Sequence, residues 1–131
     1  MKITSLVENI SEKENIGAEH GLSLFIETEK HNILFDMGQT DLFSENAEKL
    51  SIDLSSVDIA VLSHGHYDHG GGLLKFLSLN NKAKVYMNKN AFGDYYNGTE
   101  KYIGLDKSLS ESSRIVLTED FKKKKKGLSL Y

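Results

Sequence analysis

Three of the chain's five histidines, His64, His66 and His69, fall within six positions of one another, and Asp68 lies between the last two. Imidazole nitrogen and carboxylate oxygen are donors for zinc, manganese or iron, and the absence of cysteine removes thiolate ligation. His64 and His66 are two apart, so in extended chain their rings project to one side and can converge on one divalent ion. Asp68 and His69 come after the chain has begun to turn and can serve a second ion close by. In two-metal hydrolytic sites the ions lie roughly 3.5–4 Å apart and share a water. Packing imidazoles and a carboxylate this densely beside a buried strand is unfavourable unless something cationic binds them.

The elements that must carry this cluster are short. Residues 57–62 form an apolar run with β-branched side chains, too short for a helix, which reads as a strand buried on both faces. Residues 73–79 have the length and apolar content of a short helix, and Gly70, Gly71 and Gly72 bridge to its start. The cluster therefore sits in a strand-to-helix loop. A helical reading, with His64 and Asp68 four apart on one face, is weakened by Gly65 and the following glycines.

The run from Ser63 to Gly72, His-x-His-x-Asp-His followed by glycines, together with residues 33–38 (Ile-Leu-Phe-Asp-Met-Gly), resembles the metallo-β-lactamase fold superfamily of metal-dependent hydrolases. It looks most like the subgroup that includes the methanopterin-pathway dihydropterin synthase-like proteins. That resemblance implies His64 and His66 as ligands of a first metal, and Asp68 and His69 as ligands of a second. Asp68 would also help orient the attacking water, and Asp36 would be a buried carboxylate bracing the metal loop. From spacing alone, Asp36 at a strand end before Met37-Gly38 reads equally as a turn or helix cap.

Before the cluster, residues 1–7 alternate as an opening strand, 8–18 read as a polar loop, and 21–28 and 31–36 as two strands joined by a hairpin turn at 29–32. His20 ends the loop and could approach the site, although a lone loop histidine is more commonly solvated. His31, in the turn, is expected to be exposed. Thr40 or Asp41 can cap a helix whose Leu42, Phe43, Ala47 and Leu50 share one apolar face. Beyond the cluster, residues 83–87 read as a strand ended by 88–90, and relatives carry a histidine near that end, so Asn88 is a departure. Residues 91–106, with Phe92, Tyr95, Tyr96 and Tyr102, read as a packed surface loop or as the lining of a substrate pocket. Residues 112–118 are a further strand, Lys122 to Lys126 a solvated run of five lysines, and 127–131 can begin one more strand.

Length and composition fit one domain spanning residues 1–131, in the α/β (α+β) class. By the resemblance it would be the N-terminal half of an αββα sandwich, a mixed sheet with helices on one face. A net charge of −3 argues against general nucleic-acid binding, and no apolar run approaches the roughly 20 residues of a membrane span. No cysteine points to disulfides, and the chain is expected in the cytoplasm.

Family members draw further ligands from their second half, and no histidine follows His69. The expectation is a shortened or split chain with a divalent metal, zinc or else manganese or iron, in an incomplete site. Its parent activity would be metal-dependent hydrolysis of an ester, phosphodiester or amide-like bond of a small-molecule substrate. The alternatives are a dihydropterin-condensing transferase and a non-catalytic domain acting only in association. Half of a two-sheet sandwich exposes a sheet face, so a homodimer, or association with the missing half, is expected.

Overall fold

In a computed structural model, the structure describes residues 1–9, 16–93, 96–97, 101–102, 104–119, 123–125 and 128–129. Its centre is a six-stranded mixed sheet. The strands are β1 (Lys2–Val7), β2 (Ser23–Glu27), β3 (Asn32–Phe35), β4 (Ile59–Val61), β5 (Lys84–Asn88) and, later in the chain, β8 (Ile115–Thr118). Their spatial order is β1-β2-β3-β4-β5-β8, antiparallel through β3 and parallel from β3 onward. The switch follows from connection length: a turn joins β2 to β3, whereas each parallel step needs a crossover. Those crossovers contain α1 (Leu42–Lys49), then α2 (Tyr67–Gly70) and α3 (Leu73–Leu79).

Register places Phe25, Leu34, Ala60, Val85 and Ile115 in one row across the sheet. That row meets Phe43 and Ala47 of α1 and Leu73 and Phe76 of α3 in a single apolar core. Burying each large side chain there contributes about 1.5–3 kcal/mol. The helices thus cover one face. On the other face Leu24, Phe35, Val61, Tyr86 and Val116 lie in a row, all half-buried.

The parallel strands end at one edge of the sheet, so the segments after β3, β4 and β5 emerge together. In open α/β sheets that edge is where ligands bind. Asp36 follows β3 and residues 62–72 follow β4.

Several expected elements differ in detail. The strand expected at 57–62 is paired only over Ile59–Val61, because 54–56 is a 3-10 turn and the chain joins the ladder after Asp58 N–H reaches the Asn32 carbonyl. The metal loop is not bare: its residues 67–70 close a helical turn, with the His69 and Gly70 N–H groups donating to the His66 carbonyl. The aromatic segment expected as a loop contains the paired strands β6 (Tyr96–Asn97) and β7 (Lys101–Tyr102), while Tyr95 lies outside the described residues. Within the lysine run, β9 (Lys123–Lys125) pairs with β10 (Leu128–Ser129), the latter in the segment expected to begin one more strand. Lys122, Lys126 and the chain end lie outside the described residues. At α1, Asp41 holds the cap position without a side-chain bond, and Thr40 Oγ1 accepts from Leu42 N–H instead.

His31 corrects an expectation. It is half-buried rather than exposed, with Nδ1 2.6 Å from Asp58 Oδ2, and the other Asp58 oxygen accepts from Asn32 N–H at 2.8 Å. Burial alone would raise the Asp58 carboxyl, but the bonds from His31 and Asn32 outweigh it and hold it below the usual carboxylate value. A depressed carboxylate contributes stability above its unfolded value, 3.8, and loses it as pH falls through the folded value. The gap in urea midpoint between the parent chain and Asp58→Asn is therefore expected at neutral pH and to shrink below about pH 4. A gap independent of pH would contradict the pairing.

Candidate metal centre

Asp36 is the hub. It is fully buried with a positive φ of 59°, a backbone region uncommon for residues other than glycine. Its N–H donates to the Val61 carbonyl and its carbonyl accepts from the Ser23 hydroxyl, so the unusual backbone is held from two strands. The carboxylate then accepts three bonds: Ser63 N–H to Oδ1 (2.7 Å), Ser63 Oγ–H to Oδ2 (2.6 Å) and His69 Nδ1–H to Oδ2 (2.6 Å).

These bonds settle two tautomers. The Ser63 hydroxyl has one proton and gives it to Asp36, so at 2.9 Å it accepts from His64 Nδ1–H. His69 likewise spends Nδ1–H on Asp36. Both rings are left with a bare Nε2, the form that binds a metal, and an anchored opposite nitrogen that fixes ring orientation. Burial pushes the His64 imidazole below its ordinary value of 6.5, and nearby His69 adds to this while Asp36 opposes it. Neutral imidazole, the ligating form, is favoured.

Among the described residues, His64, Asp68 and His69 bring one donor atom each to within 4.8 Å of one another. Asp68 Oδ2 is 3.6 Å from His69 Nε2. Bonds of about 2.0–2.1 Å to a tetrahedral zinc would place ligand atoms roughly 3.4 Å apart. One edge of the triad is already at that spacing, and the rest needs only a modest contraction. The donor set therefore fits a divalent ion with three protein ligands and an open position.

The triad draws on both pairs expected from the sequence. His66, at the start of α2, stands beside it with its ring centroid 4.9 Å from that of His64. His20, from the β1–β2 loop, comes to 3.0 Å of Asp68 Oδ2 while 65% exposed. Asn88 turns its side chain to its own loop, Oδ1 accepting from Asn90 N–H. Ser63 was not singled out from sequence, and its place immediately before His64 was the only available signal.

Close backbone packing explains the glycines. A Cβ on Gly65 would sit 1.9 Å from the Ala91 carbonyl oxygen, and one on Gly72 would sit 2.3 Å from that of Met37. The loop nests against these backbones without side chains, which brings the histidines onto Asp36.

Residues 16–127 match the family model described as Metallo-beta-lactamase superfamily. An uncharacterized protein of Methanocaldococcus jannaschii is 40% identical over 111 residues, which are 83% of this chain and 42% of that protein. The 7,8-dihydropterin-6-methyl-4-(beta-D-ribofuranosyl)-aminobenzene-5'-phosphate synthase of the same organism is 34% identical over 102 residues, 70% of this chain and 34% of its own length. Among solved structures, Tm1679, described as a metal-dependent hydrolase of the beta-lactamase superfamily, is similar with a TM-score of 0.72 and 35% identity. That likeness covers 91% of this chain and 42% of the other. The chain thus spans less than half the length of these relatives. With the family match over most of its length and a mixed sheet that delivers a histidine-aspartate cluster at its strand ends, this chain belongs to the metallo-β-lactamase superfamily.

Proposed function

We propose that the chain provides the first-half metal site of a metal-dependent hydrolase. The observation that carries this reading is the convergence of His64, Asp68 and His69, two of them tied through Ser63 and Asp36. The likeness to Tm1679, itself called a metal-dependent hydrolase, supports it. His64 and His69 would hold the ion through Nε2 and Asp68 through its carboxylate. A divalent ion there, zinc first and manganese or iron as alternatives, supplies Lewis acidity that lowers the pKa of water towards neutrality. Asp36 and Ser63 keep the two ring protons on Nδ1, so neither ring can turn its ligating nitrogen away. Asp68 would hold the ion with the two imidazoles and help orient the attacking water. The substrate class is a small molecule with an ester, phosphodiester or amide-like bond, and the setting is cytoplasmic.

The test is hydrolysis of p-nitrophenyl acetate and bis-p-nitrophenyl phosphate by zinc-loaded chain. Turnover is expected to be weak, lost on chelation and lost in His64→Ala. Turnover that survives both would contradict the reading. A second reading, a transferase condensing a dihydropterin, is favoured by the 34% identity to the M. jannaschii synthase. Metal binding without hydrolysis of either ester would turn the choice towards it.

The reading includes a second copy of the chain. The row Leu24, Phe35, Val61, Tyr86 and Val116 leaves an apolar sheet face half-covered, and the same face on another copy is self-complementary in hydrophobic character. Sedimentation at micromolar concentration is expected to give twice the chain mass. A monomer would contradict this part.

A further inference from the structure

His20 belongs to a segment that is held more firmly than its exposure implies. On its N-terminal side, Glu19 Oε2 accepts from the N–H groups of Gln39 and Thr40 at 2.7 and 3.1 Å, and Oε1 accepts from the Thr40 hydroxyl at 2.6 Å. This pins residue 19 to the turn that follows Asp36. On its C-terminal side, Leu22 N–H donates to the Asp68 carbonyl at 3.3 Å, and the Leu22 carbonyl accepts from Gly38 N–H at 2.9 Å. Between them Gly21 has a φ of +146°, and a Cβ there would lie 2.3 Å from the Asp68 carbonyl oxygen. Gly21 N–H is in turn taken by Asn9 Oδ1 at 3.1 Å. The residues on both sides of His20, Glu19 through its side chain and Leu22 through its backbone, are therefore fastened to the turn after Asp36 and to the helical turn that carries Asp68.

Held in this way, the imidazole reaches Asp68 Oδ2 at 3.0 Å, the oxygen that also faces His69 Nε2 at 3.6 Å. The contact is a close charge pairing rather than an aligned hydrogen bond, and a carboxylate oxygen has the lone-pair capacity to face His20 and His69 at once. A ligating carboxylate left without such a partner swings among rotamers, and ordering it costs affinity. His64 and His69 are braced from the protein interior through Ser63 and Asp36, whereas no bond from Asp36 reaches the Asp68 carboxylate.

We propose that His20 is the positioning residue for Asp68, bracing from the solvent side a triad that Asp36 braces from within. The inference rests on the metal reading of the triad. It assigns His20 to the site although His20 lies more than 40 residues before the motif in sequence.

Cobalt(II) titration of the whole chain, followed by visible absorption, tests it in the parent, His20→Ala and His20→Gln. In His20→Ala, affinity is expected to fall about 10-fold, the low end of the range for losing a supporting partner, with altered d–d bands. In His20→Gln, whose amide N–H can donate to the same oxygen, affinity should return to within roughly threefold of the parent. Urea midpoints of all three should agree, since the side chain is mostly exposed. Parent-like affinity and spectrum in His20→Ala would overturn the proposal while leaving the metal reading intact. A parent chain that binds no cobalt would overturn both.

Discussion

Replacing His69 by alanine is expected to weaken divalent-metal binding by more than about 100-fold, beyond the roughly 10–100-fold typical of losing only a supporting partner. His69 does two jobs at once. It belongs to the group whose three donor atoms lie within 4.8 Å, with Nε2 3.6 Å from Asp68 Oδ2, and its Nδ1–H is one of three donors on the buried Asp36 carboxylate. Removing it deletes a ligand and loosens the hub that orients His64 through Ser63. A competition titration against a chromophoric chelator reads the loss directly. His31→Ala is the control, because His31 precedes β3 and pairs with Asp58 at the opposite end of that strand from Asp36. Equal affinity in the parent and His69→Ala would remove His69 from the site.

Replacing Asp36 by alanine should cost about 3 kcal/mol of folding stability, because several donors lose their acceptor within a closed interior. The donors are Ser63 N–H, Ser63 Oγ–H and His69 Nδ1–H, and Asp36 itself is fully buried. For a chain of this size that corresponds to a fall of roughly 10 °C in Tm. Asp36→Asn separates hub from packing: it keeps the shape but presents an NH2 group where one of those oxygens stood. Part of the stability should return while metal affinity stays at least about 10-fold low. A thermal melt of Asp36→Ala within a degree or two of the parent would show that the bonds are not holding the loop.

What was legible in the sequence was local. The cluster from His64 to His69 sits next to an apolar β-branched run and a glycine run, so its place between a strand and a helix could be read directly. Asp36 was visible as a carboxylate at a strand end, but whether it capped a turn or served the site depended on Ser63 and His69, 27 and 33 residues away. The two-and-two division of ligands rests on extended chain between His64 and His66 only, with Asp68 and His69 placed after the chain turns, and the helical turn over Tyr67–Gly70 carries that second pair.

The polar residues that stitch the fold together were invisible for the same reason. Asn46 lies within the helix face assigned to apolar packing, yet it is buried, with Nδ2 donating to the Leu6 and Gly17 carbonyls and Oδ1 accepting from Gly17 N–H. Asn80 ends α3 and donates to the Leu54 and Val57 carbonyls, fixing the approach to β4. Periodicity reports which face a residue takes, while the partner that makes a buried amide tolerable comes from another element. His31 was misplaced because Asp58, its partner, is distant in sequence and adjacent only once β3 and β4 pair.

The measurement that tests the central claim most directly is the zinc content of the chain after equilibration with excess zinc and removal of free ion, by elemental mass spectrometry. The triad predicts about one equivalent per chain, retained at neutral pH and lost in a His64→Ala, His69→Ala double variant that remains folded. Negligible zinc in the folded parent, or the same zinc in the double variant, would contradict a metal centre at the ends of β3 and β4.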